Sequence, residues 1–116
     1  MNDWQTLTSS SDLDIALEAS FEKPILIFKH STRCSISQMV LDRFERNWSA
    51  ANLAEIIPFY LDLIANREVS NQIEDQLQVE HQSPQMLLIR NGKCIFSETH
   101  QAIRLQNALD LIKNQN

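Results

Sequence analysis

The sequence predicts an α/β domain built as a mixed four- to five-stranded sheet with helices on both faces. Three observations carry that expectation. Apolar residues recur at helical spacing in four segments, short strand-like runs lie between them, and Asn91-Gly92 joins the last two runs. At 116 residues and 43% hydrophobic content, one domain spanning 1–116 can bury its own core.

The elements follow in order. Trp4–Leu7 suggests a short leading strand. Leu13, Ala16, Leu17 and Phe21 mark a first helix, with Ser11 and Asp14 spaced as a capping box. Pro24–Phe28 is a nearly continuous apolar run, as expected of a strand covered on both faces. Ile36, Met39, Val40 and Phe44 mark a second helix ending near Trp48. The next strand, Ile57–Leu63, contains Pro58, which cannot donate to a ladder and places it at a sheet edge. Val69, Ile73 and Leu77 form a third amphipathic helix. Gln85–Arg90 and Lys93–Ser97 form a hairpin, because Asn-Gly tolerates the positive φ angles of a tight turn. Leu105, Ala108, Leu109 and Ile112 give a closing helix. Strands separated by helices should pair in parallel through right-handed crossovers, with an antiparallel hairpin last. That order of elements is the thioredoxin plan, which by itself says nothing about activity.

Charge and composition exclude several functions. With 10 Lys+Arg and 15 Asp+Glu the net charge is −5, and the acid excess is spread over both halves. No basic face exists to neutralise a phosphate backbone, so nucleic acid is not an expected partner. The longest apolar run, Ile56–Leu61, is far short of the ~18 residues of a membrane span. Met1-Asn2-Asp3-Trp4 lacks the cationic and apolar regions of a signal peptide, so a soluble, cytoplasmic protein is expected. Two cysteines and three scattered histidines give no metal-ligand spacing. A structural disulfide is not expected in a reducing compartment.

The chemistry therefore rests on the thiols. Cys34 lies between the first buried strand and the second helix, two residues before the apolar stripe and about 200° away from it. That places it on the polar side of the first turn and not in the core. Unpaired N–H groups and the helix dipole favour an anion there, so a thiol at this place is stabilised as thiolate. From Lys23 to Leu41 the chain carries Lys23, Lys29, Arg33 and His30 and no carboxylate. Arg33, Lys29 and His30 are the candidate thiolate-stabilising side chains, with ordinary solvated or structural roles as the alternatives. Ser37 stands where dithiol redox proteins carry a resolving cysteine; its hydroxyl can donate to the thiolate but cannot close a disulfide. Cys94 follows the hairpin turn at the opposite end of the sheet. Six strand residues separate the ends by about 20 Å, whereas a disulfide requires Cα atoms within roughly 7 Å. Cys94 is expected to be structural, leaving a one-cysteine site.

Ser83-Pro84 immediately precedes a strand that should end beside Cys34. A cis bond there would turn the Ser83 backbone outward, to pair with an extended or thiol-bearing substrate. A plain strand-starting proline is the alternative.

Lys29-His30-Ser31-Thr32-Arg33-Cys34-Ser35-Ile36-Ser37, His81-Gln82-Ser83-Pro84-Gln85, Asn91-Gly92 and Thr99-His100 together resemble the YtxJ-type monothiol bacilliredoxins, thioredoxin-like proteins of the bacillithiol system. The likeness runs from about residue 11 to the end. It implies a thioredoxin fold, attack by Cys34 and a substrate edge at Ser83 and Pro84, with His100 near the same surface. It also implies removal of bacillithiol from protein mixed disulfides, with bacillithiol as co-substrate and no bound cofactor. The implied partners are S-thiolated client proteins, a low-molecular-weight thiol and a recycling reductase. Phe28 stands where thioredoxins keep a buried acid, in keeping with the absence of a second cysteine to deprotonate. Ser35 replaces a proline common in the family, and Cys94 lies outside its motif.

Other readings meet specific obstacles. Glutaredoxin-like arsenate reductases carry arginine where Gln38 stands, and the phosphatase-type loop needs arginine at Val40. A monothiol glutaredoxin-like protein binding glutathione or an Fe–S cluster would have Gly-Phe at Ser35-Ile36. A non-catalytic thioredoxin-like adaptor would use Ser83-Pro84 and the sheet edge without needing the sulfur.

Overall fold

The computed structural model describes residues 1–114. Its first half runs β1 (Gln5–Thr6), α1 (Ser10–Ala19), β2 (Ile25–His30) and α2 (Ser35–Asn47). Its second half runs β3 (Ile57–Asp62), α3 (Arg67–Leu77), β4 (Gln85–Arg90), β5 (Lys93–Thr99) and α4 (Leu105–Asn114). Short 3-10 turns occupy Ala50–Ala54 and His100–Ala102. The sheet order is β1-β3-β2-β4-β5, parallel from β1 through β2 and antiparallel at β4 and β5.

Alternation along the strands divides the core in two. Leu26, Phe28, Met86 and Leu88 pack with Val40, Leu41 and Phe44 of α2 and with Leu105, Ala108 and Ile112 of α4. Ile25, Ile27, Leu87 and Ile89 pack on the other face with Leu13 and Ala16 of α1 and with Val69, Ile73 and Leu77 of α3. Both faces of β2 and β4 are therefore covered, which explains their apolar runs. At the hairpin turn Asn91 and Gly92 take φ values of 54° and 76°, the paired left-handed conformations of a tight two-residue loop. Ile95 is an extra residue in β5, since Leu88 faces Phe96 while Ile89 faces Cys94.

Four sequence expectations need correction. Pro58 is not in an edge strand, because β1 pairs outside β3. The Ile57 N–H donates to the Pro24 carbonyl and the Tyr60 carbonyl accepts from Leu7, so Pro58 directs its backbone away from β2. The two residues of β1 pair only with Phe59 and Tyr60, so no ladder partner meets the missing donor. The cap of α1 lies two residues earlier than Ser11–Asp14. Ser9 Oγ accepts from the Asp12 N–H at 3.1 Å, and the Asp12 carboxylate takes the Thr8 N–H and hydroxyl at 2.8 and 2.9 Å. Phe21 falls beyond the helix end and is 59% exposed. Finally, the buried stripe of α2 is Ser37, Val40, Leu41 and Phe44, while Ile36 and Met39 face outward.

Candidate active site at Cys34

The turn from β2 into α2 sets the position of Cys34. Its backbone is extended (φ −111°, ψ 120°), its carbonyl accepts the Gln38 N–H at 3.0 Å, and its N–H donates to the Ser31 carbonyl at 3.2 Å. Cys34 is thus the N-cap of a 13-residue helix, and its half-buried sulfur takes no hydrogen bond from the first-turn amides. An N-cap residue lies at the positive end of the helix dipole, next to the first-turn N–H groups that have no intrahelical partner. No acidic residue occupies that first turn.

The expected stabilising side chains divide. Arg33, the residue before Cys34, is exposed and makes no ion pair among the described residues. Ser37 and His30 are buried together, with Ser37 Oγ 2.7 Å from His30 Nδ1. The same oxygen accepts the Ser31 N–H at 3.1 Å. Burial holds the His30 pKa below its usual value, which favours the neutral ring. The Ser37 hydroxyl is thus engaged by His30 and Ser31, and no hydrogen bond joins it to the Cys34 sulfur among the described residues. The pair braces the turn that carries the sulfur.

Lys29 is not brought to Cys34. It continues the Ile25 and Ile27 face of β2, opposite α2, and is completely buried. Its ammonium donates to His81 Nδ1 at 2.7 Å. Burial pushes its pKa down to about 8, against the opposing pull of Glu74. An ordinary solvated lysine is equally excluded. His81 was not singled out in the sequence; the available signal was a lysine inside an apolar strand, which demands a polar partner.

The substrate-edge residues do converge. Ser83-Pro84 is cis, and Gln85 pairs with Lys29, which sets Pro84 beside the end of β2 that leads to Cys34. The Pro84 carbonyl accepts the His100 N–H at 3.0 Å, drawing His100 to the same end of the sheet. The Ser83 hydroxyl is buried without a hydrogen-bond partner. Phe28 lies in an aromatic cluster with Trp4 and Phe44, at centroid distances of 6.1 and 5.5 Å. No titratable group occupies its place.

Cys94 lies across from Ile89, next to the hairpin turn, whereas Cys34 follows the Lys29 end of β2. Its thiol donates to the Phe96 carbonyl at 3.4 Å, and burial pushes its pKa up. Among the described residues no helix is long and apolar enough to cross a membrane.

Solved structures identify the architecture. A candidate oxidoreductase with a thioredoxin fold superposes with a TM-score of 0.78 at 24% identity, covering 96% of this chain and 94% of its own. Thioredoxin of Malassezia sympodialis gives 0.74 at 14% identity, covering 96% and 89%. Thioredoxin of Fasciola hepatica gives 0.71 at 14%, covering 97% and 99%. The chain has the thioredoxin fold, with a lone cysteine at the start of α2. A family model for the monothiol bacilliredoxin BrxC matches residues 5–108, and the chain belongs to that family. Membership gives it a redox role.

Proposed function

We propose that the protein is a monothiol thiol–disulfide oxidoreductase that removes bacillithiol, or a similar low-molecular-weight thiol, from protein mixed disulfides through Cys34. The observation that carries this reading is a half-exposed sulfur at the N-cap of α2, beside Ser83-Pro84, with serine at the resolving position. The Cys34 thiolate attacks the bacillithiol sulfur of the mixed disulfide. A new Cys34–bacillithiol disulfide forms, the old disulfide breaks, and the client thiolate leaves and takes up a proton. A second low-molecular-weight thiolate then attacks the bacillithiol sulfur on Cys34. This releases Cys34 and a symmetrical disulfide, which a reductase returns to two thiols. One cysteine suffices because the second nucleophile comes from solution.

The first-turn amides of α2 favour negative charge on the attacking sulfur, and exposed Arg33 adds to that field. Ser83, Pro84 and His100 line the edge where the client chain would lie. The reading assigns the protein to the cytoplasm, with S-thiolated clients and a recycling reductase as partners and no resident cofactor. Intact mass after exposure to oxidised bacillithiol tests it. Wild type and Cys94→Ser are expected to gain one bacillithiol, and Cys34→Ser none. An adduct that survives Cys34→Ser and disappears in Cys94→Ser inverts the assignment.

A further inference from the structure

Lys29 is the only lysine or arginine buried among the described residues. Withdrawing an ammonium from water costs several kcal/mol unless it is well paired, so its partners show what the burial serves. Its partner is His81, which opens the segment leading to Ser83 and Pro84. The same ring nitrogen lies 3.3 Å from Ser70 Oγ of α3, and the His81 N–H donates to the Glu74 carboxylate at 2.6 Å. Gln85, buried opposite Lys29 in the β2–β4 ladder, donates to the Glu80 carbonyl at 3.1 Å and accepts the Gln82 N–H at 3.4 Å. The chain from Glu80 to Pro84 therefore hangs from polar anchors on β2, α3 and β4. An apolar side chain at position 29 would carry no desolvation cost of its own.

We propose that Lys29, acting through His81, is a positioning residue that holds the His81–Pro84 segment in place to receive a mixed disulfide at Cys34. The inference rests on the reading of Cys34 given above. Burial and the neighbouring Lys29 charge keep His81 neutral and able to accept, with Arg67 acting in the same direction and Glu74 against it.

Lys29→Met, His81→Leu and His81→Gln test the proposal with two disulfides. Dithiodipyridine is small and reaches the sulfur without docking, whereas a bacillithiol-modified peptide must lie along the edge. Lys29→Met and His81→Leu should slow the peptide reaction about tenfold and leave dithiodipyridine unaffected. His81→Gln, whose amide oxygen can accept from Lys29, should recover most of the peptide rate. In Lys29→Met the His81 titration, followed by NMR, should move upward as the adjacent charge disappears. An unchanged peptide rate in Lys29→Met, equal losses with both disulfides, or an unmoved His81 titration each overturns the positioning role. A wild-type protein that reacts with dithiodipyridine but not with the peptide marks a different failure. It sinks the substrate reading of Cys34, and the positioning role with it.

Discussion

Cys34 and Cys94 sit at opposite ends of one sheet, in surroundings that treat a thiol in opposite ways. Cys34 opens a helix after a parallel strand, with exposed Arg33 as its chain neighbour and no acidic residue in the first turn. Cys94 lies within the antiparallel hairpin, its sulfur against the α1–α3 core and its proton directed to a carbonyl. The difference lies in backbone direction. The C-terminal ends of parallel strands lead into helix N-termini, which collect positive potential, whereas a hairpin strand offers each sulfur a carbonyl and apolar neighbours. A cysteine count alone would treat the two as equivalent.

The labelling contrast should be the largest effect. Near neutral pH, iodoacetamide should modify Cys34 about tenfold faster than Cys94 or more, since each unit of raised pKa removes a factor of ~10 in thiolate. Peptide mapping after short exposure measures it, and equal rates would erase the comparison. Cys94 labelling should accelerate as pH rises well past the ordinary thiol range, because burial raises its pKa.

The brace under Cys34 should show next. Ser37→Ala leaves the Ser31 N–H and the His30 ring without their partner, at a cost of about 1–3 kcal/mol, read as a lower urea midpoint. The pH dependence has a definite sign. His30 and His81 both have folded pKa values below 6.5, so the unfolded chain binds protons first as pH falls. Their contribution is complete above the unfolded value and is lost as pH drops from there through the folded values. Urea midpoints at about pH 7.5 and 5.5 should therefore differ, the lower pH being less stable. A flat profile between them would remove His30 as a buried neutral brace.

The smallest effect belongs to the Cys94 end. Gly92 has a φ of +76°, and a Cβ there would stand 3.1 Å from the Phe21 ring. Gly92→Ala should cost about 1 kcal/mol or slightly more and leave Cys34 labelling unchanged. A change in Cys34 reactivity would show that the two ends communicate.

Much of this was legible in the sequence. Helical and strand periods depend on local geometry, so the element order, the Asn91-Gly92 hairpin and the position of Cys34 ahead of α2 follow from spacing alone. Polar residues in the buried set were harder to read. The sequence assigns the Ser37 hydroxyl to the thiolate, because a search for apolar stripes passes over a serine, yet its oxygen completes the turn after β2. The sequence groups Lys29 with its chain neighbours, but alternation along β2 carries it to the face opposite α2.

The sequence by itself determined which residues make helices and strands, that one thiol begins a helix, and that Ser83-Pro84 leads into a strand. These are consequences of side-chain period and backbone chemistry acting over a few residues. Only the tertiary structure decided that Lys29 belongs to His81, that Ser37 belongs to His30, and that Pro84 and His100 meet. Those pairings join residues from separate elements, and they exist because desolvated polar groups must find partners wherever the packed sheet brings them.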